Sequence, residues 1–182
     1  MVFPPLRCFS RAPRSRSFQG VAAYDYCAAK KQTCYGFYGH LTIKATGVIT
    51  AFSLTPDNGG ERDAVWDMVQ TIYGLLIGDK GYLSASLQQE LQQVFMKLET
   101  SLRSNMHDPC DPAWVKLLKR MPRLIETVIG QLVEHFSIEK VWARNLWHMS
   151  SWLNRKLLAH TLCRWLNRHS PQPLQFKQLV TQ

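Results

Sequence analysis

The spacing of apolar positions divides the chain into short strands and longer helices. Tyr35, Phe37 and Leu41-Thr42-Ile43 are strand-like, Ala45-Thr46-Gly47 turns, and Val48-Ile49-Thr50-Ala51-Phe52 returns. That pattern predicts a β-hairpin over residues 34–54. The following Thr55-Pro56-Asp57-Asn58-Gly59-Gly60 is rich in breakers and reads as a loop. A helix is expected from about residue 61, with Val65, Met68, Val69 and Ile72 on one face. Leu75-Leu76-Ile77 then reads as a short buried strand that stops at Gly78-Asp79. A helix at 84–94 turns Leu87 and Leu91 inward, a strand follows at 95–102, and 105–112 is a loop containing two prolines. Short helices are expected at 113–118 and 123–136. In the second, Ile125, Val128, Ile129, Leu132 and Phe136 recur at three- and four-residue spacing, and Glu126 lies on the margin of that stripe. A long amphipathic helix is expected at 146–168, using Leu153, Leu157, Leu158, Leu162 and Trp165. Residues 1–32 read as an irregular basic arm, 33–168 as the core, and 169–182, with Pro171 and Pro173, as a loose tail.

Length and composition fit this picture: 182 residues at 46% hydrophobic content suit one domain with a sizeable core. Charge adds a partner class. The formal net charge of +9 calls for an anionic partner, most simply nucleic acid. Residues 1–50 hold seven Lys/Arg and one acid, residues 51–110 four and eight, and residues 111–182 eleven and four. Basic ends thus flank an acidic middle, as expected where surfaces that grip phosphate surround a metal-binding centre. The five cysteines are scattered, without zinc-finger spacing or a disulfide framework, and are read as reduced thiols. No run of apolar residues predicts a membrane span, and the arginine-rich start lacks the apolar core of a signal peptide.

The candidate chemistry sits on two acids, Asp79 at the end of a buried strand and Glu126 on a helix. Open α/β sheets place their ligands at the C-terminal ends of strands, so a strand-end Asp and a helix Glu can converge on one divalent cation. Asp57, Glu61, Asp63 and Asp67 are instead read as cap, dipole and solvated-face residues of the first helix. Arg7, Arg11, Arg14 and Arg16 are either a solvated arm or contacts to a DNA backbone, for which the planar guanidinium fork is suited. Arg155, Lys156, Arg164 and Arg168 are expected to form a positive exterior on the long helix.

Four stretches in this order carry a resemblance: Tyr35-Gly36-Phe37, Leu54-Thr55-Pro56-Asp57-Asn58, Gly78-Asp79-Lys80-Gly81-Tyr82 and Ile125-Glu126-Thr127-Val128. Together they resemble bacterial insertion-sequence transposases of the DDE type, over about residues 3–168. The resemblance implies an α/β fold with an RNase H-like mixed sheet flanked by helices. It implies Asp79 and Glu126 as second and third acids of a metal-binding triad holding two Mg²⁺ (or Mn²⁺) ions, with Lys80 and Arg123 as phosphate contacts. It further implies double-stranded DNA as partner, a homodimer or pairing with an intact transposase, and a cytoplasmic, nucleoid-associated location in a bacterium. The family's first acid ends its first strand, just before a segment resembling Phe3-Pro4-Pro5-Leu6-Arg7-Cys8. No Asp precedes Asp25 in this chain, so the first, central strand is expected to be missing or incomplete and the polypeptide inactive by itself. Two other readings stay open. One is a non-catalytic DNA-binding remnant that inhibits or pairs with intact transposase; the other is an unrelated basic scaffold bound to RNA.

Overall fold

The computed structural model describes residues 6–7, 18, 20–27, 31–56, 63–70, 72, 74–78, 84–100, 111–140 and 142–171. In chain order the elements are β1 (Leu6–Arg7), β2 (Ala23–Cys27), β3 (Gln32–Ile43), β4 (Ile49–Pro56), α1 (Asp63–Val69), β5 (Gly74–Gly78), α2 (Ala85–Gln93), β6 (Met96–Thr100), α3 (Pro112–Glu134) and α4 (Leu146–His169). The long β3 organises an antiparallel sheet. It pairs with β4 through Leu41 opposite Phe52, with β2 through Tyr24 opposite Tyr35, and with β1 through Leu6 opposite Gly39. β5 and β6 pair in parallel, Leu76 opposite Leu98, with α2 as the crossover between them. The molecule is a mixed α/β fold, with antiparallel and parallel strand pairs flanked by helices.

Alternation along β3 separates two cores. Phe37, Leu41 and Ile43 enter one cluster together with Ile77 of β5, the buried stripe of α3, and Met149, Leu153 and Leu157 of α4. The neighbouring positions His40 and Thr42 are buried on the opposite face, where Ala51 of β4 packs against the other cluster. That second cluster joins Ala64, Val65 and Met68 of α1, Leu87 and Leu91 of α2, Leu76, Met96 and Leu98. The strands are therefore covered on one face by α1 and α2 and on the other by α3 and α4.

Three expectations need correction. Residues 1–32 are not irregular throughout, because β1 and β2 both lie in that segment and hydrogen-bond to β3. The Ala-Tyr-Asp-Tyr-Cys run of β2 has a strand's alternation, and the Tyr24 ring rests on Tyr35 with centroids 4.7 Å apart. Phe18 is anchored too, meeting Phe37 edge to face at 5.4 Å while the Tyr35 hydroxyl donates to its carbonyl at 2.9 Å. Next, the two short helices expected around Pro122 are one 23-residue helix, α3. Proline removes one hydrogen bond and pushes on the preceding turn. Yet Leu118, Met121, Ile125, Val128 and Leu132 form one buried stripe running through the proline, and their burial holds both halves in register. Finally, α4 buries Met149, Leu153, Leu157 and His160, leaving Leu158, Leu162 and Trp165 exposed. Its inward face is rotated relative to the expected one, because it packs on the α3 and β3 core through the 149–153–157 row.

α4 is held at both ends of its packed stretch. The Lys156 ammonium donates to the carbonyls of Phe136 and Ser137, the latter at 3.1 Å, just past the end of α3. At the other end Arg164 donates to the Thr46 carbonyl at 2.7 Å, in the turn between β3 and β4. Gly47 makes room for that contact: its φ is +79°, and a Cβ there would overlap the Arg164 guanidinium. Gly47→Ala is therefore expected to cost about 1–2 kcal/mol, combining left-handed strain with rupture of the hydrogen bond to Thr46. A lower urea midpoint at unchanged slope would register this cost; an unchanged midpoint would show that the turn is not pinned.

Candidate functional site

β5 leads toward Asp79, one of the two candidate acids. Leu76, Ile77 and Gly78 are buried, and the strand ends at Gly78. Asp79 and Lys80 come next in sequence and lie outside the described residues, as do Arg11, Arg14 and Arg16. Arg7 is placed in β1, opposite Tyr38. Asp25, the earliest carboxylate, belongs to β2 opposite Cys34.

α3 carries the other candidate acid, Glu126. Glu126 follows the fully buried Ile125 and is itself exposed. Among the described residues no side chain pairs with its carboxylate, which leaves hard oxygen ligands facing solvent, the type that Mg²⁺ prefers. β5 and α3 face each other: Ile77 shares a buried cluster with Ile125, and Leu75, Leu76 and Ile77 line a cavity of about 400 Å³ with Trp114, Leu117 and Met121. The strand end that leads into Asp79 thus packs against the helix that carries Glu126. Among the described residues, no group of three His, Cys, Asp or Glu side chains forms a cluster able to hold a metal ion.

The cations divide into two kinds. Arg123 and Arg155 are exposed, and Arg155 donates to the Ser151 carbonyl one turn earlier at 3.3 Å. Lys156 is engaged by the end of α3 and lies over the Trp152 ring at 3.2 Å, with burial pulling its pKa below the ordinary amine value. Arg164 is likewise engaged by the β3–β4 turn. Three further cations, Lys116, Lys119 and Arg120, do not stand out in the sequence as site residues. With Arg123 they line a cleft of about 720 Å³ between α3 and Ala45 of that turn. Their spacing of 0, 3, 4 and 7 is a usable signal, since it places four cations on one helical face.

The model of the transposase DDE domain family matches residues 7–146, more than three quarters of the chain. The chain belongs to the DDE transposases. The match ends at the first residue of α4, which packs into the same buried cluster as α3 and β3. DDE transposases act on DNA and generally use divalent metal ions. No curated protein matches the chain. Among solved structures it is similar to a chain of a simian T-cell lymphotropic virus intasome, determined by cryo-electron microscopy in complex with the PP2A regulatory subunit B56 gamma. That likeness has 14% identity and a TM-score of 0.40, and it spans 95% of this chain and 60% of the viral one. In the transposase, no helix among the described residues is long and apolar enough to cross a membrane.

Proposed function

We propose that this chain contributes two carboxylates, Asp79 and Glu126, to a DDE site that cuts and joins transposon DNA ends. The observation that carries the reading is the packing of β5 against α3, with Ile77 two residues before Asp79 and Ile125 next to Glu126 in one cluster. A divalent ion held by the two acids would supply charge to stabilise the phosphoryl group in flight and would make a water or 3′-hydroxyl a better nucleophile. Two Mg²⁺ or Mn²⁺ ions complete such a site. The chain's own part is to carry Glu126 on a packed helix and to bring a buried strand up to the residue before Asp79. Gly78 ends a buried strand, and Ile125 fixes the rotation of α3 about Glu126.

A DDE triad has three acids, and Asp79 and Glu126 are proposed as two of them. With those two alone the polypeptide is expected to bind DNA through its cations without cutting it. That behaviour is also what a regulatory, non-catalytic DNA-binding form requires, alone or paired with an intact transposase. The test is Mn²⁺ binding followed by electron paramagnetic resonance. Asp79→Asn and Glu126→Gln are each expected to weaken binding at least about tenfold, the scale on which changes around a metal site alter affinity. Unchanged binding in either variant would separate the two acids and overturn the shared site. Plasmid nicking by the polypeptide with Mn²⁺ that disappears in Asp79→Asn would overturn the inactivity while keeping the site.

A further inference from the structure

We propose that the cationic face of α3, with the β3–β4 turn as its far wall, is a cleft that seats one strand of a DNA duplex by its phosphate backbone. The proposal rests on the DNA-acting reading above and assigns it a surface. Lys116, Lys119, Arg120 and Arg123 are all exposed, and among the described residues none of their side chains has an ion-pair or hydrogen-bond partner. A solvated helix face is commonly laced with opposite charges three or four residues apart. This one is not: no acid occurs from residue 112 to residue 125. Four positive charges therefore repel one another along two turns, an arrangement that an anionic ligand would relieve.

The shape of the site narrows the ligand. With the four cations, the cleft is lined by Leu117, Met121, Leu124 and Thr127 of α3 and by Ala45 of the facing turn. Charge beside apolar surface suits a sugar–phosphate strand, which presents anionic oxygens alternating with apolar deoxyribose faces. From Lys116 to Arg123 the helix rises roughly 10 Å, the length over which one strand of a duplex carries about three phosphates. The wall is held in place, because Arg164 of α4 grips the Thr46 carbonyl beside Ala45. Glu126 follows Arg123 by three residues, on the flank of the same face. A strand seated on these cations is thereby led toward the proposed metal site.

The experiment is duplex binding by the 182-residue chain, read as fluorescence anisotropy of a short labelled DNA between about 50 and 200 mM salt. The cleft variant is Lys116→Ala/Lys119→Ala/Arg120→Ala, and a charge-matched control is Lys140→Ala/Arg144→Ala/Arg168→Ala, also exposed. In the cleft variant we expect at least about tenfold weaker binding and a plot of log K against log salt shallower by about 2–3, at roughly 0.9 for each phosphate no longer neutralised. The control is expected to shift both quantities much less. A third form, Lys116→Arg/Lys119→Arg/Arg120→Lys, keeps the charges and is expected to bind as the parent does. Equal losses in the cleft and control variants would mean that net charge alone is responsible, and would overturn the assignment. Unchanged binding in the cleft variant would overturn it while leaving the DNA reading intact. Failure of the parent chain to bind duplex at low salt would remove both.

Discussion

Between pH 7.5 and pH 5 the folded chain is expected to lose about 4 kcal/mol of stability through His40 and His160 alone. Both imidazoles are fully buried, and their pKa values are lowered from 6.5 to about 4. For His40 the cause is burial, partly opposed by the Asp67 carboxylate of α1. For His160 burial acts first, and Arg164 one turn along α4 adds to it. Each ring has a side-chain partner: His40 Nε2 meets the Thr55 hydroxyl at 2.8 Å, and His160 Nε2 meets the Gln131 amide oxygen at 3.0 Å. In a doubly protonated His40 the Nδ1–H would have no hydrogen-bond partner among the described residues. The unfolded chain takes up these protons as pH falls through about 6.5, whereas the folded chain resists until about pH 4. Stability is thus complete above pH 6.5 and declines as pH drops toward 4. Each histidine contributes about 2 kcal/mol by pH 5, before most carboxylates titrate. Against a net stability on the order of 5–15 kcal/mol that is a large share. Urea midpoints at pH 7.5 and pH 5 measure it, and His160→Gln is expected to remove about half of the difference. Equal midpoints at the two pH values would show that these imidazoles are not buried neutral groups.

Ile125→Ala is expected to destabilise the chain by about 3 kcal/mol, and Ile125→Val by about 1 kcal/mol. Ile125 is fully buried in the cluster that contains Ile77 of β5 and Leu118, Val128 and Leu132 of its own helix. Removing its branched chain leaves a cavity at the seam where β5 and α3 meet, and helices and strands in a close-packed core relax only partly to fill it. The same seam sets the position of Glu126 relative to the end of β5. Ile125→Ala is therefore also expected to weaken Mn²⁺ binding, although residue 125 offers no oxygen to a metal. Equilibrium urea unfolding gives the first quantity. A loss below about 0.5 kcal/mol would mean that α3 does not carry Glu126 on a packed face.

The site was legible in the sequence to the extent that its signals are local. Leu75-Leu76-Ile77 ending in Gly78 marks a buried strand before Asp79, and the 125–128–132 spacing marks the helix behind Glu126. The motifs around those acids suggested the family, and the match over residues 7–146 shows it. The fate of the cations is not legible there. Lys156 looks like Arg155 in sequence, yet it closes the end of α3 and lies on Trp152. The spacing of Lys116, Lys119 and Arg120 marks a cationic helix face, but only the approach of Ala45 from the β3–β4 turn makes it one side of a cleft.

By itself, the sequence determined the hairpin, the strand–helix–strand order of β5, α2 and β6, the surplus of positive charge and two candidate acids, Asp79 and Glu126. Each of these depends on residue types and their spacing within one segment. Tertiary structure decided the rest. It carried α3 through Pro122, because a continuous buried stripe outweighs one missing hydrogen bond. It also rotated α4 so that Leu158, Leu162 and Trp165 face outward and His160 inward. A helical period states that a chain has faces; only the surface it packs against selects which of them is buried.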